Sequence, residues 1–98
     1  MKKYLVAVGQ INSRSDVQAN YETVERMIAE AAEQGAKLVI FPENMTCVGK
    51  PHKEIAEQVP GGESCRRMAA AAKKHNIWVH MGSIKELIPG DDRVYNTS

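Results

Sequence analysis

Two apolar runs, joined through one amphipathic segment by very short links, constrain this chain more than anything else in it. Tyr4-Leu5-Val6-Ala7-Val8-Gly9-Gln10-Ile11 reads as a strand near 4–11 that is apolar on both faces, as a central parallel strand should be. Leu38-Val39-Ile40-Phe41, four large apolar residues of which two are β-branched, reads as a second strand near 38–42, buried on both faces. Pro42 lacks a backbone donor and ends it. Between them Val17, Tyr21, Val24, Ile28 and Ala31 recur at spacings of four and three. They predict a helix near 16–34 with one apolar stripe, and Glu22, Glu25, Arg26, Glu30 and Glu33 lie mostly off it. Ser15 with Gln18 forms a capping-box pattern, Asp16 adds an acid to the first turn, and Gly35 suits the C′ position. Strand, helix and strand with joins this short make a right-handed βαβ unit whose two strands run parallel.

That topology places Glu43 at the carboxyl end of a buried parallel strand, where open α/β sheets bind their ligands. A carboxylate half-sunk beside an apolar wall has its pKa pushed up, toward use as a general base. On this stretch alone the plain reading, a loop carboxylate capping a neighbour, outweighs the catalytic one.

Beyond Glu43 the pattern dissolves. Residues 45–62 hold Gly49, Pro51, Pro60, Gly61 and Gly62, with a weak helical patch around Lys53–Gln58. So long a loop, leaving from the Glu43 end of the sheet, could wall a pocket there. A second long helix is expected near 63–75, capped by Gly62 or Ser64, with Glu63 at its start and Lys73, Lys74 and His75 at its end. Cys65, Met68, Ala69 and Ala72 share its apolar face, and Asn76 can take the left-handed C′ conformation. Residues 77–84 read as a third strand and Pro89-Gly90-Asp91-Asp92 as a turn. A fourth strand near 93–98 is expected to run antiparallel to the third.

Composition narrows the function classes. Acids and bases are interspersed at a net charge of +1 and aromatics are only 5%, so nucleic-acid binding has little support. No run is long and apolar enough for a membrane span, and no signal peptide is read behind Met1-Lys2-Lys3. A cytoplasmic, reducing setting is expected, with Cys47 and Cys65 as free thiols. The sequons at Asn44 and Asn96 then carry no weight. Ser98 closes the sequence inside a β-prone run, and the expectation is that residues 1–98 are the front part of a larger α/β domain.

The ordered set of features resembles the amino-terminal part of the nitrilase, or carbon-nitrogen hydrolase, superfamily. The matching features are Val6-Ala7-Val8-Gly9-Gln10, Asn20, Gly35-Ala36, Phe41-Pro42-Glu43, the Gly82-bearing third strand and Val94-Tyr95-Asn96-Thr97-Ser98. Gln10, Ser13, Asp16 and Asn20 look most like the amidase branch that includes the deaminated-glutathione amidases. The resemblance implies an α/β fold, the incomplete amino-terminal portion of an α-β-β-α sandwich that usually dimerises into a deeper stack. It implies a hydrolase of amide or nitrile C–N bonds that uses a Glu base, a Lys that steadies the tetrahedral intermediate, and a Cys nucleophile. A thiol near its ordinary pKa is mostly protonated and needs a base, and the oxyanion needs donors aimed at it. Glu43 falls on the Glu position, while the Lys and the Cys of the pattern come later than Ser98. The 98 residues alone are therefore expected to be inactive, and the full-length parent to act on a small-molecule amide as a homo-oligomer.

The remaining reactive residues read plainly. Cys47, four residues from Glu43, is a small apolar loop residue in the absence of an electropositive setting, and Cys65 belongs to a helix face. Lys50 could approach the pocket but surface lysines are the rule. His52, His75 and His80 show no ligand spacing with each other or the cysteines, so no metal is expected. His80 is expected to be a hydrogen-bonded core or pocket-wall residue. The glycines form no phosphate-cradling pattern, and no cofactor is expected. The competing reading is a non-enzymatic α/β module that binds a small molecule or a protein.

Overall fold

The computed structural model describes residues 3–98. In chain order it contains β1 (Val6–Val8), α1 (Val17–Glu33), β2 (Leu38–Ile40), α2 (His52–Ile55), α3 (Glu63–His75), β3 (Trp78–His80), β4 (Ile84–Leu87) and β5 (Val94–Thr97). A three-stranded sheet has the order β1-β2-β3, with both pairings parallel. The parallel βαβ unit is thus as the sequence predicts, and β2 is the central strand of the three.

The register decides what each face sees. Ala7, Val39 and Val79 lie in one row across the sheet. That row meets Tyr21, Val24, Ile28 and Ala31 of α1 and Met68 and Ala71 of α3 in a single apolar cluster. Val24 and Ile28 are fully buried, and such burial contributes roughly 1.5–3 kcal/mol each. A capping residue contributes roughly 1 kcal/mol, so the stripe and not the cap holds α1 down. The cap itself is Asp16, whose side chain accepts from the Ala19 backbone N–H, rather than the expected Ser15. Gly35, at φ +87°, follows the last turn as expected.

Four other expectations need correcting. β1 is an edge strand and not a central one, and its Val6 and Val8 are exposed on the face turned away from the helices. In β2 only Val39 is fully covered, while Leu38 and Ile40 are half-buried. On α3 the buried positions are Ser64, Met68 and Ala71, and Ala69 is exposed; the Ser64 hydroxyl meets Tyr21 of α1, which turns the Ser64 side of the helix inward. The strand expected over 77–84 is two strands. It breaks at 81–83, where Gly82 has φ +71°, and resumes as β4 in a second sheet. β5 therefore pairs antiparallel with β4, across the expected turn, and not with β3.

Two local contacts tie this frame together. A Cβ on Gly9 would fall 2.5 Å from the Phe41 ring, so only glycine lets that ring seat at the end of β1. At the start of α3, Glu57 accepts from the Ser64 backbone N–H at 2.7 Å and from the Ser64 hydroxyl, which also meets Tyr21 Oη at 2.7 Å. The carboxylate satisfies donors that a helix start leaves open. Asn76 closes α3 in the left-handed conformation, as expected.

Candidate functional site

Glu43 stands directly after β2, at the carboxyl ends of the parallel strands, in a turn over residues 43–46. Three segments hold that turn. The 81–83 connection lies against it from one side: the Asn44 N–H donates to Ser83 Oγ at 3.0 Å and the Met45 N–H to the Ser83 carbonyl at 3.3 Å. A Cβ on Gly82 would sit 2.0 Å from the Pro42 carbonyl oxygen, so the break in the expected third strand is what lets the chain pass behind Pro42-Glu43. Asn44 takes a left-handed conformation, at φ +53°, which Asn tolerates better than most residues.

The β1–α1 loop clamps the turn from the other side. Buried Asn20 donates to the Arg14 carbonyl at 2.7 Å and to the Thr46 carbonyl at 2.9 Å, and its Oδ1 accepts from the Arg14 N–H at 3.1 Å. Ser13 Oγ donates to the Met45 carbonyl at 3.1 Å and the Val48 N–H to the Arg14 carbonyl at 3.0 Å. Asn44 Oδ1 is buried and has no partner among the described residues.

From the second sheet, Asn96 donates through Nδ2 to Glu43 Oε1 at 3.2 Å. The half-sunk setting expected for Glu43 is not found. The side chain is exposed, and the long loop after it is bound instead to Asn20 and Arg14, through Thr46 and Val48. That loop does wall a pocket, of 320 Å³, with Val17, Tyr21, Thr46, Cys47, Ile55 and Glu57 among its lining. Glu43 is not part of that lining. A second hollow, of 670 Å³, lies at the opposite ends of the strands, between Tyr4, Leu38 and Trp78.

Both cysteines are free. Cys47 is buried and its Sγ lies 3.9 Å from the Ser15 carbonyl. Burial pushes its thiol pKa up, against a smaller opposing effect of the Lys50 charge. Burial likewise raises the Cys65 thiol, helped by the charges of Glu57 and Glu86. His80 is exposed and not a core residue. Its Nδ1 accepts from the Gly82 N–H at 3.2 Å and its Nε2 lies 3.4 Å from Ser98 Oγ. Among the described residues no three His, Cys, Asp or Glu side chains gather as metal ligands, and no helix is long and apolar enough to cross a membrane.

The carbon-nitrogen hydrolase family model matches residues 5–98. The omega-amidase NIT2 of Danio rerio is 37% identical over 102 residues, a span that covers 99% of this chain and 35% of that protein. A hydrolase of Mycobacterium tuberculosis is 40% identical over 95 residues, covering 94% of this chain and 32% of that one. Among solved structures, Nit3 of Saccharomyces cerevisiae, a member of branch 10 of the nitrilase superfamily, superimposes with a TM-score of 0.78 at 27% identity. It covers 93% of this chain and 36% of its own, so the mixed helix-and-sheet arrangement is shared. The chain spans about a third of the length of the curated relatives it matches.

Proposed function

The chain belongs to the carbon-nitrogen hydrolase family, and from that premise we propose that residues 1–98 form the amino-terminal part of a cysteine-dependent amidase whose general base is Glu43. The observation that carries the reading is positional. The family match runs through nearly the whole chain, and within it Glu43 occupies the carboxyl end of the central parallel strand, held in a turn clamped from two sides. The amidase character rests on relatives that bear that name.

In the full-length protein Glu43 takes the proton of a cysteine thiol supplied from beyond residue 98. The thiolate attacks the amide carbon, and a lysine, also supplied from beyond residue 98, stabilises the oxyanion. Glu43 returns the proton to the leaving nitrogen, then draws one from the water that opens the thioester. Cys47 is not the nucleophile in this scheme: its sulfur is buried, turned to the Ser15 carbonyl, and its thiol is harder to ionise than usual. The full-length protein is proposed to be a cytoplasmic homo-oligomer.

The test is ammonia release from a panel of short amides and ω-amides. The full-length protein should turn over at least one of them. Glu43→Gln keeps the shape but not the base and should cut turnover roughly 10²–10⁴-fold. Cys47→Ala should change little, and the 98 residues alone should give only background. Loss of activity in Cys47→Ala with activity kept in Glu43→Gln would reverse the roles. Turnover by the 98 residues alone would require a nucleophile among Cys47 and Cys65.

A further inference from the structure

Resting on the reading of Glu43 as a general base, we propose that Lys85 is a positioning residue for it, acting through the carboxamide of Asn96. Lys85 and Asn96 are directly opposite each other in the β4–β5 register. Lys85 Nζ donates to Asn96 Oδ1 at 3.3 Å, and Asn96 Nδ2 donates to Glu43 Oε1 at 3.2 Å. Lys85 is only 9% exposed, although it sits in a short strand of a small chain. Among the described residues it makes no ion pair, so the Asn96 oxygen is the acceptor that compensates its burial.

The chemistry of the three groups permits one orientation. A lysine ammonium has donors and no acceptor, and an ionised carboxylate has acceptors and no donor. The carboxamide between them satisfies both only with its oxygen toward Lys85 and its nitrogen toward Glu43. Turned by half a rotation, it would set an oxygen against the carboxylate and an N–H against the ammonium. Asn96 is itself exposed and, among the described residues, its side chain has no other partner. The carboxylate and the ammonium favour the same orientation, and buried Lys85 holds the carboxamide in it from the side away from Glu43. The result is a Glu43 carboxylate anchored by Oε1, with Oε2 left to take the proton. Lys85 touches neither substrate nor the reacting atoms.

Lys85→Met in the full-length protein keeps the length of the stem and removes the donor. Turnover number should fall roughly 10–100-fold with KM little changed, as expected when a reacting group loses its orientation but substrate binding does not. Lys85→Arg, which still donates, should recover most of the loss. Nuclear magnetic resonance of the Asn96 side-chain amide supplies a readout independent of turnover. In the unaltered protein one Nδ2 proton should lie downfield, and in Lys85→Met it should move to the position of a free carboxamide. An Asn96 amide that is free in the unaltered protein overturns the proposal with no variant needed. So does an amide signal or a turnover number unaffected by Lys85→Met. A full-length protein without amidase activity would defeat the reading of Glu43 as a base, while the amide signal would still decide whether Lys85 orients Asn96.

Discussion

Asn20 carries more of the site's geometry than its place in a helix suggests. It is a polar residue on the buried side of α1, and all three of its side-chain hydrogen bonds go to loop backbone, two to Arg14 and one to Thr46. Removing it would leave two carbonyls and one N–H without that partner, the Thr46 carbonyl in a buried bond and the Arg14 groups in half-buried ones. Each such group costs about 1–3 kcal/mol when buried. Asn20→Ala should therefore destabilise the full-length protein by about 2–4 kcal/mol in denaturant unfolding; a loss under about 0.5 kcal/mol, the range of ordinary surface changes, would show that the clamp is not needed. The cysteines give a second residue-scale expectation. With its thiol pKa raised by burial, Cys47 has less thiolate at any given pH than a free cysteine and gains it only at higher pH. Alkylation at neutral pH, followed by mass spectrometry of the native full-length protein, should label Cys47 far more slowly than a free thiol; rapid labelling would reopen its case as a nucleophile. Glu43 and Asn20 were both visible in the sequence, but only as members of an ordered pattern. What they touch was not legible, because Asn20 and Thr46 are 26 residues apart and Glu43 and Asn96 are 53 apart. Lys85 gave no signal at all, since it falls just past the strand expected over 77–84, where a lone lysine reads as solvent-facing.

At the scale of elements, the extent of both long helices is legible in the sequence, but the buried face only in α1, where the apolar stripe is longest. The α1 stripe and the β1-α1-β2 unit came through because the hydrophobic spacing and the short joins admit one arrangement. Residues 77–84 misled because a run with few polar interruptions has no period that marks a break, and a lone glycine in a strand is compatible with a mere bulge. The physical cause lies in another element: Gly82 backs onto the Phe41 and Pro42 carbonyls, a contact made by residues 40 positions earlier. Gly82→Ala should be costly for two separable reasons. The left-handed backbone alone costs an ordinary residue about 1–2 kcal/mol. The added Cβ would also meet the Pro42 oxygen at 2.0 Å, and that oxygen is backbone that cannot rotate aside. Gly90 has nearly the same backbone conformation, at φ +74°, with open space around it. Gly90→Ala therefore measures the conformational cost by itself. Gly82→Ala should destabilise the protein by at least 2 kcal/mol more than Gly90→Ala, on the order of a core overpacking change, and should also slow turnover by moving Glu43. Equal effects of the two substitutions would remove the close approach from the description of the site.

At the scale of the whole molecule, the face of the parallel sheet turned away from α1 and α3 sets the behaviour of these 98 residues on their own. Tyr4, Val6 and Val8 from the first segment and Trp78 from β3 lie exposed there, Val8 at 77% and Trp78 at 76%. The sequence told that β1 and β3 were apolar enough to be covered, and it could not tell that the cover is absent among these residues, since a strand's composition is the same whichever element packs on it. Isolated monomers rarely leave contiguous apolar surface beyond a few hundred Å². A net charge of +1 supplies little repulsion to keep two such faces apart. The 98-residue chain produced alone should therefore associate or bind a hydrophobic dye. Trp78, the single tryptophan, is placed to report it. Its emission should be that of a water-exposed indole at high dilution and shift to the blue as concentration rises, in step with an increase in sedimentation coefficient. Val8→Lys puts a charge on the same face of the sheet, one row of pairs away from Trp78, without touching the helix-covered side, and it should move both transitions to higher concentration. In the full-length protein the same indole should be blue-shifted at every concentration if the added chain packs on this face. A 98-residue chain that stays monomeric, binds no dye and unfolds cooperatively would show that the open face needs no cover, and would weaken the proposal that these residues are one part of a larger hydrolase domain.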